Sequence, residues 1–304
     1  MPLTARAAAL MRVVDLELGS KTMQPSRRRS FLMAAALSLG LLAAAAPAPV
    51  RADDNPSAVL NQIRQSGVLR VPVMVGEEPG YIKDPKSGAW SGFYIDFLND
   101  IATVLGVKVE TVETTWGNLA ADFQANKIDV AIGVNPNPKR GLVVDYLWEP
   151  LFTDAWAVAT PVGKPVATWA ELNDPAKRVV VQKGSTMQVV AEQILPKAQI
   201  TPVEDRNVAL LELRSNRADA VVLAVFDALQ VSKQGIGGLS LPEPVLRNPA
   251  TLAVARQPGN QGFINFLTNW VLQQRSLGTA QGRLARSFEA HGFDLSILPP
   301  NFSF

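Results

Sequence analysis

An arginine behind a stiff loop is the first group in this sequence that could bind a charged ligand. Arg140 follows the run Asn135-Pro136-Asn137-Pro138, in which two prolines restrict the backbone and remove amide donors. A guanidinium is always charged, and its fork of N–H groups can bind a carboxylate through two hydrogen bonds. Arg140 is therefore a candidate for carboxylate binding, with a surface ion pair to Asp145 as the alternative. Asn135 and Asn137 in the same loop are further candidates for ligand contacts.

A second candidate is the segment Gly184-Ser185-Thr186, which lies between a predicted strand and a predicted helix. The first N–H groups of a helix have no partner inside it, so together with nearby hydroxyls they can hold an anion. The alternative is an ordinary helix cap, because Ser and Thr are favoured at that position in any protein. Of the two hydroxyl residues, Thr186 is the stronger candidate for a ligand contact, and Ser185 is the other.

The residue types that are absent exclude several kinds of chemistry. The chain has no cysteine, which excludes disulfides and catalysis by a thiolate. His291 is the only histidine, so a Ser-His-Asp triad would have to use it, and histidine-rich metal sites are excluded. Because Gly292 follows it at the end of a helical pattern, we expect His291 to end a helix. No cofactor or metal ion is expected.

Alternating strand and helix patterns must position these candidates. Apolar residues at helical spacing, such as Phe97, Leu98 and Ile101, predict a core-facing helix that ends at Gly106. Buried-strand patterns alternate with such helices, which predicts an α/β fold built from two βαβαβ series. The predicted strands are 68–75, 107–112, 128–134, 179–182, 200–203, 218–223 and 252–255, and the predicted helices are 94–105, 119–125, 185–195, 207–215, 261–274 and 279–290.

The N-terminal segment resembles an export signal of the twin-arginine type. Arg27-Arg28-Arg29-Ser30-Phe31-Leu32 contains the R-R-x-F-L pattern, and an apolar run over 33–46 follows it. A bilayer span needs roughly 20 residues, so this run is short for a membrane anchor, which is the alternative. Small residues at Val50 and Ala52 predict cleavage after Ala52, and Met23 is a second possible translation start. We therefore expect residues 1–52 to be removed and the protein to act in the periplasm.

The net charge of the predicted mature chain argues against a nucleic-acid partner. The full sequence carries a formal charge of +2, but seven Lys or Arg and only two Asp or Glu lie in residues 1–52. The remaining 22 basic and 25 acidic residues give about −3. The apparent basicity belongs to the signal and not to a surface made for binding nucleic acid.

Six motifs in order along the chain resemble the amino-acid-type, or family 3, solute-binding proteins of ABC importers. Single motifs are weakly specific, but their order and spacing match that family from about Val59 to Gly292. The matching segments are Ile63–Val71, Gly88 with Gly92–Asp96, Lys127–Val130, Pro138–Arg140 with Val144–Tyr146, Gln182–Thr186 and Arg217–Val222.

The resemblance implies a two-lobed periplasmic binding protein fold of type II, in which each lobe is a sheet flanked by helices. The chain would cross between the lobes twice, near 151–159 and near 246–252, forming a hinge that closes on a ligand. Lobe 1 would comprise residues 53–153 and 249–304, and lobe 2 residues 154–248. The implied partners are a small ligand and an ABC permease in the membrane, and we expect a monomer.

The resemblance also assigns roles in a ligand site. Arg140 matches the arginine that grips the ligand carboxylate in the family, with the Gly184-Ser185-Thr186 segment on the opposing lobe. Tyr81 and Trp116 match aromatic positions that could enclose the ligand side chain, with core packing as the alternative for each. Aromatic walls exclude water and so strengthen polar contacts in a closed site.

One position departs from the family pattern in a way that bears on the ligand. Family members that bind α-amino acids carry an acid five residues after the aspartate that Asp219 matches, and it pairs with the ligand ammonium. Here that position is Ala224, and the nearest acid, Asp227, would face the site only if the loop shifted. We therefore expect a carboxylate-bearing ligand whose ammonium is not required: an amino acid, an amino-acid derivative or a small organic acid.

Two alternatives to a transport role remain open from the sequence. One is an enzyme on the same fold, similar to the periplasmic cyclohexadienyl dehydratases, in which Asp227 or Glu149 would act as the general acid. Neither residue lies in a motif that is diagnostic of catalysis, so we expect a binding protein and not an enzyme. The other is a receptor that presents its ligand-bound form to a membrane sensor or to a dehydrogenase partner.

Overall fold

The structure is a computed structural model that describes residues 55–293. Strands alternate with helices along the chain, and the fold is α/β with sheets flanked by helices, as the sequence predicts. The predicted export signal, its cleavage after Ala52 and the alternative start at Met23 lie outside the described residues. Within 55–293, no helix is both long enough and apolar enough to span a bilayer.

The first half of the chain follows the predicted βαβαβ order. Helix α2 buries Phe97, Leu98 and Ile101, and Gly106 ends it in the left-handed conformation at φ 72°. The elements of this half are α1 (Ala58–Ser66), β1 (Val68–Val73), β2 (Ile82–Lys83), β3 (Trp90–Ser91), α2 (Phe93–Leu105), β4 (Lys108–Glu113), α3 (Leu119–Gln124), β5 (Val130–Val134), a short 3₁₀ helix (Arg140–Leu142) and β6 (Val144–Tyr146).

The second half contains the predicted second series and several elements that the sequence patterns did not predict. Helix α6 is one of these, and β12 is nine residues long where a short strand at 252–255 was predicted. The elements are β7 (Phe152–Thr160), a 3₁₀ helix (Trp169–Glu171), β8 (Arg178–Gln182), α4 (Thr186–Ile194), β9 (Gln199–Val203), α5 (Arg206–Arg214), β10 (Ala220–Ala224), α6 (Val225–Lys233), β11 (Gly238–Ser240), β12 (Arg247–Ala255), α7 (Gln261–Ser276) and α8 (Thr279–Ala290).

The two long strands β7 and β12 connect the halves of the fold. They pair antiparallel from Arg247 opposite Ala155 to Ala250 opposite Phe152. Beyond this segment the strands diverge: β12 pairs with β5 and β6, whereas β7 pairs with β10 and β11. These strands are the two predicted crossovers. The exact lobe boundaries remain a prediction.

Separate apolar cores support the two halves. The first core joins α2, β1, β5, α7 and α8 and contains most of the large aromatic residues, including Phe93, Phe97 and Phe288. Two smaller cores cover the opposite faces of the sheet formed by β7, β8 and β10. His291 ends α8, as predicted, with Nδ1 2.7 Å from the Ser287 carbonyl oxygen. It is not among the residues that line the cavity described next.

Candidate ligand-binding site

A cavity lies beside the paired segments of β7 and β12 and draws its walls from both halves of the fold. The empty space between its walls, which is open to solvent, is about 480 Å³. Six of the eight predicted site residues line it, and Tyr81 and Asn137 do not. The predicted residues in its lining are Trp116, Asn135, Arg140, Ser185, Thr186 and Asp227.

Arg140 is buried at one end of this cavity without an ion-pair partner among residues 55–293. Its backbone N–H donates to Asn137 Oδ1 at 3.0 Å, which fixes the start of the 3₁₀ helix. Its Nη2 donates to the Gly184 carbonyl at 3.1 Å, while its Nη1 is buried without a hydrogen-bond partner. The alternative ion pair with Asp145 is not formed. Asp145 instead accepts a hydrogen bond from Arg256 Nε at 2.8 Å.

The Gly184-Ser185-Thr186 segment lies opposite Arg140 at the start of α4. Ser185 is the helix cap: its Oγ accepts the Gln188 N–H and donates to the Gln182 carbonyl. Thr186 Oγ1 donates to the Asn135 carbonyl at 3.3 Å across the cavity. The capping alternative therefore accounts for the Ser185 hydroxyl, whereas Thr186 faces the other half of the fold.

Gly184 permits the close approach of these two walls. Its φ of 72° is in the left-handed region, and a Cβ placed there would lie 2.4 Å from the Cα of Gly117. A backbone atom cannot move aside as a flexible side chain can, so no larger residue fits at position 184 in this arrangement. The contact holds the start of α4 against the loop that carries Trp116.

The aromatic wall differs in part from the prediction. Trp116 lines the cavity and lies 5.9 Å from the Arg140 guanidinium carbon, a cation–π distance. Tyr81 is buried and does not line the cavity, and its ring packs against that of Tyr94, which does, with ring centroids 5.1 Å apart. The aromatic lining therefore comes from Trp116, Tyr94, Phe152 and Phe226. Asn137 also lies behind the lining, where its side chain binds the Arg140 backbone.

The other end of the cavity is acidic, and sequence reasoning missed most of it. Glu77, Asp154 and Asp227 line this acidic end. Directly behind it, the fully buried Arg206 forms ion pairs with Glu77 and, at 2.8 Å, with Asp227. Gln182 Nε2 donates to Glu77 Oε1 at 2.8 Å. The sequence contains one signal for Asp154, which is an acid within the largely apolar strand Phe152–Thr160.

Burial perturbs all three carboxyl groups. It raises the pKa of Glu77 to about 7, against the attraction of Arg206. Burial, together with the negative charge of Asp227, raises the pKa of Asp154 well above its usual range, although backbone N–H groups that donate to Asp154 oppose this. The pKa of Asp227 is also raised by burial, and its ion pair with Arg206 opposes the shift. Glu149 is not part of this group, since it pairs with Arg275 at 2.7 Å on the surface.

Comparisons with known proteins agree with this fold. The model of the bacterial extracellular solute-binding proteins, family 3, matches residues 69–234. Cyclohexadienyl dehydratase of Pseudomonas aeruginosa is 26% identical over 265 residues, which cover 84% of this chain and 96% of that protein. An ancestral amino acid-binding protein, described as a precursor of cyclohexadienyl dehydratase, has a similar crystal structure, with a TM-score of 0.69, 30% identity and coverage of 76% of this chain and 100% of that one. An ancestral arginine-binding protein bound to arginine has a TM-score of 0.65 and 28% identity, over 73% of this chain and 98% of that one.

Proposed function

The chain belongs to family 3 of the bacterial extracellular solute-binding proteins, and from this premise we propose that it captures a carboxylate-bearing solute for an ABC importer. The solute is an amino acid or a close derivative, held in the cavity between the two lobes. The closed, loaded form is then presented to a permease in the cytoplasmic membrane. Export to the periplasm through the signal in residues 1–52 is part of this proposal.

The observation that carries the proposal is that the Arg140 guanidinium is buried without a carboxylate partner among the described residues. A guanidinium buried without a carboxylate costs several kcal/mol unless a partner from outside the chain pairs with it. Its Nη1 has no hydrogen-bond partner and the residue lines the cavity, so a ligand carboxylate can complete the site there. Thr186 and the first N–H groups of α4 lie on the facing wall, where the positive end of the helix dipole also favours an anion.

Hydrogen bonds between the two halves support capture by closure. Arg140 bonds to Gly184, Thr186 bonds to Asn135, and Gln182 bonds to Glu77. In each pair, one residue comes from the segment assigned to lobe 1, 53–153, and the other from lobe 2, 154–248. A ligand that touches both walls would add to these bonds and shift the protein toward the closed state.

Calorimetric titration of the purified protein with the standard amino acids and with simple carboxylates tests this proposal. We expect Arg140→Ala to lose about 2–5 kcal/mol of binding free energy, roughly 30-fold to several thousand-fold in affinity. The affinity of Arg140→Lys should lie between that of the unchanged protein and that of Arg140→Ala, because a lysine ammonium is a point charge and lacks the paired N–H groups of a guanidinium. Arg275→Ala, which removes a surface pair, is the matched control. Unchanged affinity in Arg140→Ala would overturn the assignment.

Catalysis on this fold is a second candidate, supported by the similarity to a dehydratase and by one observation in the cavity. Burial raises the pKa of Asp154 well above its usual range, which favours the protonated form that a general acid requires. Incubation with the cyclohexadienyl acids prephenate and arogenate, followed by ultraviolet absorbance, separates the two candidates. Turnover that Asp154→Asn abolishes would replace the transport proposal with an enzymatic one.

A further inference from the structure

The loop 76–78, which follows β1, is held by side chains from the other half of the fold. Arg206 on α5 pairs with the Glu77 carboxylate and donates from Nη1 to the Glu78 carbonyl oxygen at 3.1 Å. Gln182 at the end of β8 donates from Nε2 to Glu77 Oε1 at 2.8 Å. The loop belongs to the segment assigned to lobe 1, whereas Arg206 and Gln182 belong to the segment assigned to lobe 2.

These contacts favour the joined arrangement of the two lobes. The side chains of Arg206 and Glu77 are 0% and 4% exposed, so they meet away from water. Separation of the lobes would hydrate both groups again, and the net preference is that of the exchanged hydrogen bonds and not of the full Coulomb attraction. Each such bond favours the bonded state by roughly two- to tenfold, so three of them together favour it by about 10-fold to 1,000-fold.

Helix α6 adds an apolar contact between the same two halves. Phe226 and Leu229 belong to the first core, whereas Val225 and Ala228 belong to one of the smaller cores of the second half. Residues three apart in a helix lie on one face, so α6 presents one face to each core. A movement that separates the halves at α6 would take one of these faces out of its core and expose apolar surface to water.

Two polar residues extend the face of α6 that meets the first half. Gln230 Nε2 donates to Glu78 Oε2 at 2.9 Å, and Lys233 Nζ donates to the His291 carbonyl oxygen at 2.7 Å. They follow Phe226 by four and seven residues, which places all three on one stripe of the helix. Helix α6 is therefore fixed both to the loop 76–78 and to the end of α8.

These contacts join protein groups to protein groups and lie apart from the Arg140 end of the cavity. We propose that the loop 76–78 and α6 latch the two lobes together before a solute binds, so that the protein without solute is mainly closed and must open to exchange solute. This inference goes beyond the proposed function, because it does not depend on which solute binds. The apparent affinity for a solute that enters only the open form is then lowered by the fraction of open protein.

The distance between two spin labels tests the inference without any solute. The chain has no cysteine, so Val104→Cys on α2 and Gln193→Cys on α4 provide one labelling site in each lobe, both exposed. The protein is first refolded from guanidinium, which removes any solute carried through purification. Pulsed electron paramagnetic resonance then gives the distribution of distances. We expect one dominant distance, at the separation that these two helices have in the structure.

A variant of the polar contacts shows whether they hold the lobes together. Glu77→Ala combined with Gln230→Ala removes three hydrogen bonds between the lobes and leaves Arg206 paired with Asp227. We expect the population of open protein to rise at least about tenfold, seen as a second, longer distance. Because Arg206 keeps a carboxylate partner, the variant does not leave a buried guanidinium unpaired.

Matched controls separate the latch from a general loss of buried contacts. Asp122→Ala combined with Gln274→Ala removes a buried acid and a buried amide whose hydrogen bonds lie within lobe 1, and it should keep the single distance. Leu229→Ala tests the apolar contact of α6 and should also add a longer distance. Its control is Leu210→Ala, which removes the same group from the core of lobe 2.

The outcomes leave the proposed function to its own test. A longer or broad distance in the labelled protein that is otherwise unchanged would overturn the inference and would not touch the capture of a solute. A single short distance that persists in Glu77→Ala with Gln230→Ala and in Leu229→Ala would also overturn it, since these contacts would then not hold the lobes. Urea unfolding checks that each variant is folded, and either variant alone decides the question if the other is not.

Discussion

Two buried arginines, Arg140 in the cavity lining and Arg206 directly behind the acidic end, differ in their partners. The Arg206 guanidinium pairs with Glu77 and Asp227 and donates to the Glu78 carbonyl at 3.1 Å. The Arg140 guanidinium bonds one carbonyl, that of Gly184, and pairs with no carboxylate of residues 55–293. Burial alone therefore does not mark a ligand-binding arginine. Within the described chain, each arginine has one buried nitrogen without a hydrogen-bond partner, Nη1 in Arg140 and Nε in Arg206, so the distinguishing features of Arg140 are its place in the cavity lining and the absence of a paired carboxylate.

The local structure of each arginine agrees with this division. Arg206 is the first residue of α5, directly after the capping residue Asp205, where the helix dipole disfavours a positive charge. Its two acidic partners offset that disadvantage and join α5 to α6 and to the loop after β1. Arg140 instead follows a loop with two prolines, which holds the guanidinium in place without a charged partner.

The largest difference between the two arginines should appear in stability. Replacing Arg206 with Met leaves Glu77 and Asp227 buried without a cation, and we expect the free energy of unfolding to fall by about 3–5 kcal/mol. Replacing Arg140 with Met removes an unpaired buried charge and should leave stability unchanged or raised. Urea unfolding without ligand measures both. Arg256→Met, which breaks a half-exposed pair, is the control and should change little. A large loss in Arg140→Met would contradict the comparison.

The sequence was informative for Arg140 and not for Arg206, because the two arginines depend on different kinds of contact. The position of Arg140 follows from its neighbours: a buried strand, two prolines and a short helix within a few residues. Arg206 and Glu77 are 129 residues apart, so nothing local predicts their pairing. The same limit applies to Asp154, which meets Asp227 only through the packing of β7 against α6.

The start of α6 shows why the acidic end was misjudged. The pattern from Asp219 to Asp227 predicts a strand followed by a loop, which would leave Asp227 too far along the chain to reach the site. In the structure the chain enters a helix at Val225, so one helical turn replaces the expected loop. By contrast, α2 and both crossover segments were predicted correctly, because strong periodicity or the family motifs indicate them. The assignment of Tyr81 rests on its position in the family pattern alone, and in the structure Tyr94 lines the cavity instead.

An effect of intermediate size is expected for a substitution at Gly184, where the two walls of the cavity meet beside Arg140. Gly184→Ala would place a methyl group 2.4 Å from the Gly117 Cα, so the walls must separate and the Arg140 bond to Gly184 must lengthen. We expect ligand affinity to fall on the order of 100-fold, while backbone strain costs about 1 kcal/mol of stability. Gly163→Ala is a matched control, because Gly163 has a φ of 76° with no atom near its added Cβ. Equal ligand affinity in the two variants would show that this contact does not matter for closure.

The smallest effect concerns pH and separates the acidic end from the Arg140 end. The pKa of Glu77 is raised from 4.5 to about 7 in the folded protein, so the folded state holds this proton more tightly than the unfolded state. The contribution of Glu77 to stability therefore falls as pH rises through this window, by about 2 kcal/mol between about pH 5 and pH 7. Glu77→Gln should flatten the pH profile of the unfolding free energy by that amount, whereas Arg140→Met should leave its slope unchanged because no acid pairs with Arg140. Urea unfolding at several pH values measures both slopes, with Asp122→Asn as the control for loss of a buried acid elsewhere. An unchanged slope in Glu77→Gln would mean that Arg206 keeps Glu77 ionised throughout this pH range.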